Sequence, residues 1–468
     1  MTSFTLFLGL IVPWLVGATL LLGLHRKRSL GAPGELAWVL GAGYFVGAFA
    51  LTLWMRALSL AGIQFSVLAV AAPLLALAAI FGYFSRRDVG ALFAAMRDAS
   101  RALLAPAGLT RAGRWAWWAL LAWLALRFVV LAFEVAWQPL FPWNAWTQWA
   151  TKARVWYELG RIVPFGDKQA WLDADGAMYF DAAPHLPPTL PLLQVWASLT
   201  LGRWDDALMN WPWWQIAVAL ALSVYGALRS LTMTPLAALV VAFLVTSLPL
   251  ANVHVAFAGY ADLPLAAYYA CAVLSFLRWA ATRDRTEAVT VVVLALACSQ
   301  LAPPGAGWAA TLLPGVIVIL LPRHGIKIAA AMIGAVTFGL LVLAQSGPAL
   351  FGHRFRYDPP WAALGEGYFL LGSWNLLWLG VIAAALLAWR DLLSPQLLPL
   401  TAIVCAGAAL LFTLVAFPDA RVLLAADASV GRATLQLAPT LVVFAALAFR
   451  TFAERCADEP ATGRAERA

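Results

Sequence analysis

The composition of this 468-residue chain is that of a membrane protein. It is 63% hydrophobic and only 12% charged, with a mean hydropathy of +0.82, and this excludes a soluble globular domain, which carries about 25% charged residues. The net charge of +8 does not indicate nucleic-acid binding, because Lys and Arg are enriched in the cytoplasmic loops of membrane proteins.

Continuous apolar runs of about 17–22 residues predict membrane-spanning helices, since membrane strands need an alternating pattern. Thirteen spans are predicted, near residues 4–23, 36–57, 63–84, 115–133, 211–229, 233–252, 262–281, 287–302, 305–321, 325–345, 369–389, 396–416 and 434–450. Pro303 and Pro304 separate the eighth run from the ninth, so these two runs form either two short spans or one broken hairpin. The predicted fold is an all-α polytopic protein with a single transmembrane domain over residues 1–452.

The Lys and Arg residues between the predicted spans are concentrated on one side of the membrane. They lie in residues 24–35, 85–114, 278–286 and 322–328 and in the tail from Arg450. Cytoplasmic loops carry this excess of positive charge, so that side is predicted to be cytoplasmic. The N-terminus is then extracytoplasmic and the C-terminus cytoplasmic. The polar residues 453–468 are predicted to form a disordered cytoplasmic tail.

The largest extracytoplasmic segment covers residues 134–210 and is unusually rich in tryptophan. Fifteen of the 24 tryptophans lie within residues 115–214. A stripe at helical spacing follows Asn144 and contains Trp146, Trp149, Ala153 and Trp156. The stripe predicts an interfacial helix that lies flat with its tryptophan face in the lipid. A second helix over about 188–202 is too short to span a bilayer and is predicted to be re-entrant or interfacial.

Several motifs in and after this loop resemble those of the GT-C glycosyltransferases, in particular the protein mannosyltransferase and aminoarabinose transferase-like group. The run Tyr179-Phe180-Asp181 followed by His185-Leu186-Pro187-Pro188 is similar to that group's Tyr-Phe-Asp-x-His-Pro-Pro-Leu element, with two extra residues and one altered order. Phe141-Pro142-Trp143-Asn144-Ala145-Trp146 resembles the Trp-Asp-x-Trp opening of bacterial relatives, and Gly259-Tyr260-Ala261-Asp262-Leu263-Pro264 also resembles a run in them. The resemblance covers residues 115–345 and implies a GT-C-like fold.

The resemblance implies an enzyme of the bacterial inner membrane that takes a sugar from a polyprenyl-phosphate carrier. The acceptor would be an extracytoplasmic glycan or lipid, and no cofactor other than the donor substrate is expected. The catalytic candidates are Glu134, Asn144, Asp181, His185 and Asp262. At the position where such enzymes carry the acceptor-activating Asp, this chain has Asn144, and an amide cannot take a proton near neutral pH.

Each catalytic candidate also has a simpler structural interpretation. Glu134 ends a span and can be an exposed interfacial carboxylate rather than a functional intramembrane charge. Asn144 precedes a helix and Asp262 opens one, so either can be an N-cap. Asp181 can be an ordinary turn residue, and His185 can be a structural hydrogen-bonding residue. His254, which lies on the same predicted side, has the same structural alternative.

A phosphate leaving group needs fixed positive charge nearby. The cations predicted to bind it are Lys152, Arg154, Arg354 and Arg356, and the alternative for each is a solvated or snorkelling surface residue. No metal is predicted. Asp205-Asp206 reads better as an acidic helix start than as a metal site, and the four cysteines form no C-x-x-C pair.

These observations predict an inverting glycosyltransferase in which a carboxylate from Glu134, Asp181 or Asp262 accepts the proton of the acceptor hydroxyl. One alternative is a transporter or flippase for a lipid-linked sugar, which predicts charges or broken helices deep in the spans. The loss of the Asp at position 144 favours the binding role of such a transporter. A further alternative is a non-catalytic partner in glycan assembly.

Overall fold

The computed structural model describes residues 2–24, 30–84, 89–104, 106–175, 177–346, 349–350, 353–354, 356–419 and 430–458. Helices account for most of these residues. The strands among them are two short pairs, the parallel pair Phe165–Gly166 (β1) and Tyr179–Phe180 (β2), and the antiparallel pair Ala349–Leu350 (β3) and His353–Arg354 (β4). The predicted fold class, an all-α membrane protein, is confirmed, but the predicted number of spans is not.

The chain divides into two compact units, Met1–Ala306 and Gly307–Ala468. The helices of the first unit are α1 Thr2–Leu24, α2 Glu35–Leu60, α3 Val67–Phe84, α4 Val89–Leu104, α5 Arg111–Trp137, α6 Thr151–Leu159, α7 Lys168–Asp173, α8 Thr189–Leu201, α9 Trp211–Ser230, α10 Pro235–Thr246, α11 Pro249–Ala256, α12 Asp262–Thr282 and α13 Arg285–Ser299. A π-helix covers Ala145–Ala150 and a short 3₁₀ helix covers Leu208–Asn210.

The second unit begins within α14, Gly305–Ala310. Its further helices are α15 Leu312–Leu320, α16 Gly325–Ser346, α17 Trp361–Gly365, α18 Leu377–Leu387, α19 Leu398–Ala416 and α20 Val430–Asp458, with a π-helix over Glu366–Leu370. Small residues let α18 pack on α20, through Ala384, Ala388 and Ala448. Because α20 continues to Asp458, the predicted disordered tail over 453–468 is helical in its first residues, and residues 459–468 lie outside the described part.

Seven of the described helices are long and apolar enough to span a membrane, namely α1, α2, α5, α12, α16, α19 and α20. The pair α10 and α11 passes the same test together but is bent by 62° at its break, and would be an eighth span. Shorter apolar stretches cover Val67–Tyr83, Thr189–Leu201, Gly305–Leu320 and Leu377–Leu387. The multi-pass architecture follows from these lengths, since about 20 apolar residues are needed to cross the bilayer.

Helix α2 packs closely against α1 because glycines remove the side chains between the two backbones. Gly43 and Gly47 lie one turn apart on α2, and Gly17 faces them from α1. A Cβ added at Gly17 would overlap the Gly43 carbonyl, and one added at Gly47 would overlap the Pro13 carbonyl. This small-residue contact is typical of helix pairs in membranes, where packing rather than the hydrophobic effect drives association.

Replacing Gly47 by Leu is expected to separate α1 from α2 and destabilise the first unit by about 3 kcal/mol, at the upper end of typical overpacking effects. The matched control is Gly82→Leu on α3, where no described atom lies within 4 Å of an added Cβ. Thermal unfolding in detergent, followed by size-exclusion chromatography, measures both variants. Equal stability of the two variants would contradict a close α1–α2 contact.

A buried cluster of charges joins one end of α2, α9, α12 and α13. The Arg278 guanidinium donates through Nη2 to Glu35 Oε2 at 2.8 Å and through Nε to Glu287 Oε1 at 2.7 Å. Its Nη1 donates to Ser230 Oγ at 2.6 Å, and its Cζ lies 4.7 Å from the centre of the Trp38 ring. All three charged side chains are buried. Arg278 belongs to one of the basic segments from which the orientation is predicted, but here it is a structural cross-link rather than a solvated loop cation.

Candidate functional site

The helix after Asn144 differs from the predicted interfacial helix. Trp149, Ala153 and Trp156 are buried, and of the predicted stripe only Trp146 is exposed. Trp156 also donates its Nε1–H to the Val163 carbonyl at 2.9 Å. The prediction of a tryptophan face in lipid is therefore wrong for this stripe. The stripe faces α8 and its neighbours, and the π-helical turn before α6 changes the rotation between successive residues.

Helix α8 is short and almost completely buried. Every residue from Thr189 to Leu201 except Leu199 is buried, and the helix packs on α1, α2 and α6. Trp196 donates its Nε1–H to the Gly9 carbonyl on α1 at 3.0 Å. This burial agrees with the re-entrant alternative, because a helix surrounded by protein presents no face to lipid.

Two of the predicted site residues, Lys152 and Asp181, form a buried ion pair. Lys152 Nζ lies 3.0 Å from Asp181 Oδ2 and donates to the Ala183 carbonyl at 2.6 Å. The Ala183 N–H donates to Asp181 Oδ1, also at 2.6 Å. Burial lowers the pKa of the Lys152 ammonium below its usual value, and the Asp181 carboxylate opposes that shift. These contacts hold α6 to the turn after β2. Lys152 and Asp181 thus neutralise each other and are not free to bind a charged substrate group.

His185 lies exposed in the turn that leads into α8. Thr189, the first residue of α8, belongs to a polar cluster at the ends of α2 and α13. Arg56 donates to Gln300 Oε1 at 2.8 Å and to Thr189 Oγ1 at 2.5 Å. The Thr189 hydroxyl in turn donates to the Gln300 carbonyl at 2.5 Å. Arg56 is a cation of the first unit that the motif-based prediction did not include.

The other predicted phosphate-binding cations are distributed over both units. Arg154 is exposed, pairs with Glu158 at 2.9 Å and lies 5.2 Å from the centre of the Trp204 ring. Arg354 and Arg356 belong to the Gly307–Ala468 unit. Arg356 pairs there with Asp358 at 3.0 Å. The proposed set of Arg354 and Arg356 therefore belongs to a different unit from all the carboxylate candidates.

A cavity of about 240 Å³ lies beside the turn between α11 and α12. Its lining is mostly aromatic and consists of Phe141, Pro142, Trp143, Val253, His254, Phe257 and Tyr260. The turn reaches this place because Gly259 has φ of 107°, a conformation that glycine adopts readily. A Cβ added there would lie 2.8 Å from the Ala145 side chain, so Gly259 lets the turn touch the start of the π-helix.

Asp262 lies next to His254 at the wall of this cavity. His254 Nε2 is 3.9 Å from Asp262 Oδ2, and both residues are buried. His254 Nδ1 lies 2.9 Å from the Leu250 carbonyl. A carbonyl only accepts hydrogen bonds, so Nδ1 carries a proton, and the lone pair of a neutral ring is then on Nε2. Asp262 is the first residue of α12 and Ala261 is its N-cap, which excludes the N-cap interpretation of Asp262.

Asn144 and Glu134 lie close to the cavity in sequence, but neither side chain lines it. Asn144 is half-buried between Trp143, which lines the cavity, and Ala145, which faces Gly259. Its side chain makes no capping hydrogen bond, so the N-cap interpretation is not supported. Glu134 is half-buried in the last two turns of α5. Next to it, Val135 lines a second cavity of about 10 Å³, the volume of a single water.

Arg127 is a further polar residue near this region that the motifs did not indicate. It lies within the predicted span 115–133, and its Nε donates to Asn252 Oδ1 on α11 at 2.7 Å. The signal was present in the sequence, because an Arg inside an apolar run is rare and often functional.

The acidic pair at Asp205 behaves as a helix start. Asp205 Oδ1 accepts the N–H groups of Ala207 and Leu208 at 3.2 and 3.0 Å. In the described residues, no group of three or more His, Cys, Asp or Glu side chains is arranged to hold a metal ion.

The arrangement combines an aromatic cavity with a buried His–carboxylate pair that can accept a proton. Aromatic walls suit the apolar faces of a sugar or the head of a prenyl chain, and one or two polar groups fix orientation in such pockets. Comparisons of the chain with family models, with curated proteins and with solved structures found no match.

Proposed function

We propose that this protein is a membrane glycosyltransferase of GT-C type in a bacterial inner membrane. It moves a sugar from a polyprenyl-phosphate carrier to an extracytoplasmic lipid or glycan, and its chain crosses the membrane thirteen times. The observation that carries the proposal is the aromatic cavity whose wall contains His254 with Asp262 behind it. The motifs around Trp143 and Asp262 that resemble the family also meet at this cavity.

In the proposed reaction the acceptor hydroxyl attacks the anomeric carbon of the donor sugar. The bond between that carbon and the carrier phosphate breaks, and the phosphate leaves with the electron pair. The His254–Asp262 pair takes the hydroxyl proton, and the carboxylate stabilises the imidazolium that forms. Among the three carboxylates considered from the sequence, Asp262 suits this role best. Asp181 is already paired with Lys152, whereas Asp262 lies 3.9 Å from His254, which lines the cavity.

The aromatic lining gives this site its second property. Trp143 and Phe141 are strongly exposed although they are large and apolar, which is typical of rings at a membrane–water boundary. The ring centres of Phe141 and Phe257 are 6.0 Å apart, so α11 and the loop after α5 share one aromatic surface. Such a surface can hold the sugar near His254 while the prenyl chain remains in lipid.

Replacing Asp262 by Asn is expected to reduce transfer by about 10²-fold, the lower end of what a general base and its partner contribute. His254→Gln should give a loss of similar size. The control is Glu158→Gln, which removes an exposed carboxylate of the same outer loop. The assay uses purified protein in lipid nanodiscs with radiolabelled polyprenyl-phosphate sugars and a membrane extract as acceptor. No transfer by the wild type, or full transfer by both site variants, contradicts the proposal.

One observation favours the transporter alternative. The span formed by α10 and α11 is broken with a bend of 62°, and Arg127 contacts Asn252 just after the break. A deep charge at a broken helix is what a transport pathway predicts. In proteoliposomes, protein-dependent movement of a labelled lipid-linked sugar between leaflets without any transfer would establish transport. Transfer without movement would establish the enzyme.

A further inference from the structure

Arg127 is a cation within α5, a helix of 27 residues that is long and apolar enough to span a membrane. It lies on the helix face that carries the buried residues Leu124 and Leu131, three residues after one and four before the other. Arg127 itself is half-buried. Its position ten residues before Trp137 places it about 15 Å from the end of the helix.

Among the described residues, Asn252 is the side chain that Arg127 contacts, and no carboxylate of the described part forms an ion pair with it. The amide of Asn252 is neutral and leaves the charge uncompensated. A cation at this depth is costly in hydrocarbon, and such residues normally pair with an anion or line a polar cavity. An anion would offset this charge, and the anions that a membrane itself supplies are lipid phosphates.

Among the described residues, no hydrogen bond engages the two terminal amino groups of Arg127. Only Nε is engaged with Asn252. Asn252 in turn donates through Nδ2 to the Leu248 carbonyl at 2.6 Å, at the break between α10 and α11. One guanidinium donor thus steadies the broken helix, while Nη1 and Nη2 present the parallel pair of N–H groups that bind phosphate oxygens in bidentate fashion.

The position of Asn252 connects this cation to the aromatic cavity. The next two residues, Val253 and His254, line that cavity. The hydrogen bond from Arg127 Nε to Asn252 Oδ1 therefore joins the guanidinium to the same short helix, α11, that supplies part of the cavity lining. A phosphate held by Arg127 would lie against that helix.

We propose that Arg127, oriented by Asn252, binds the phosphate of a lipid-linked amphiphile whose headgroup enters the aromatic cavity. The inference deepens the proposed function by naming the cation that receives the carrier phosphate. It also replaces the predicted cations, since Lys152 and Arg154 are paired with carboxylates of their own. Two sources share this chemistry, a polyprenyl phosphate and a bulk anionic phospholipid, and the depth of Arg127 favours the first.

The test measures binding rather than transfer, so that it is independent of the proposed activity. Purified protein in phosphatidylcholine nanodiscs is titrated with a radiolabelled long-chain polyprenyl phosphate and with the matching polyprenol. Arg127→Gln, which keeps a side-chain amide near Asn252, is expected to weaken phosphate binding by about tenfold or more. The affinity of Arg127→Lys should lie between those of the wild type and Arg127→Gln, because lysine keeps the charge without the bidentate geometry of the guanidinium. The control Arg283→Gln, which removes an exposed cation at the end of α12, should bind as the wild type does.

The proposal is overturned if Arg127→Gln binds the polyprenyl phosphate as tightly as the wild type, or if the wild type binds the polyprenol equally well. Should Arg127→Gln not fold, a wild-type crosslinking experiment decides. A photoreactive group beside the phosphate must label residues 124–131 or 249–257, and labelling elsewhere overturns the proposal. Displacement by phosphatidylglycerol supports the site with bulk lipid as its occupant, and resistance to it supports the carrier. Intact binding without any transfer would contradict the proposed enzyme alone.

Discussion

Replacing Arg278 by Met is expected to lower the free energy of unfolding by about 3–5 kcal/mol, the usual effect of removing one member of a buried ion pair. The variant would leave Glu35 and Glu287 buried without the guanidinium that joins them at 2.8 and 2.7 Å. Two carboxylates close together in an apolar surrounding repel each other and resist ionisation. We expect a much lower midpoint of thermal unfolding in detergent and a reduced yield of monodisperse protein.

The matched control for this variant is Arg283→Met, at the end of the same helix. Arg283 lies 5.4 Å from the Trp279 ring centre and makes no ion pair among the described residues, so its loss should change stability by less than about 1 kcal/mol. A triple variant with Glu35→Gln, Arg278→Met and Glu287→Gln removes all three charges and should recover much of the lost stability. If Arg278→Met unfolds at the wild-type temperature, the buried cluster does not hold these helices together.

Replacing Lys152 by Met is expected to destabilise the outer loop by about 3–5 kcal/mol, for the same reason. Asp181 would remain buried with only the Ala183 N–H as a hydrogen-bond donor at 2.6 Å. The turn after β2 should then detach from α6, and limited proteolysis should cut near residues 181–188. The double variant with Lys152→Met and Asp181→Leu should restore protection, because both members of the pair are then apolar.

The Lys152 experiment also separates the two roles considered for this residue. A structural cross-link predicts that Lys152→Met loses stability and that the double variant recovers it. A phosphate-binding residue predicts normal stability with weakened donor binding, and that result would contradict the structural role. Arg154→Met is the control, since Arg154 lies two residues further along α6 in an exposed ion pair worth about 0.3–0.5 kcal/mol.

The positions of the longest helices could be predicted closely from the sequence, but the described residues contain seven or eight candidate spans and do not confirm the predicted thirteen. The runs near 36–57, 115–133 and 262–281 correspond to α2, α5 and α12. Such agreement is expected because a spanning helix satisfies its own backbone hydrogen bonds, so its extent depends mainly on the local apolar run.

The surroundings of individual side chains could not be predicted in the same way. The spacing of Trp149 and Trp156 shows that they share a helix face, but it cannot distinguish a face toward lipid from a face toward α8, because both surroundings are apolar. Lys152 does not belong to this stripe of the helix. It is nevertheless buried, because Asp181 compensates its charge. Arg127 lies outside the motifs. Its link to the helix that lines the cavity is a hydrogen bond to Asn252, which is more than a hundred residues further along the chain.

Composition and the length of the apolar runs determined that this chain is a helical, multi-pass membrane protein, because the bilayer imposes the same requirement on every segment that crosses it. Only the tertiary structure decided which polar groups meet: Arg278 with two carboxylates, Lys152 with Asp181, and His254 with Asp262 beside an aromatic cavity. A buried charge needs a partner of opposite charge. When that partner lies on a distant helix, the packing of the helices determines the pair, and no local sequence pattern indicates it.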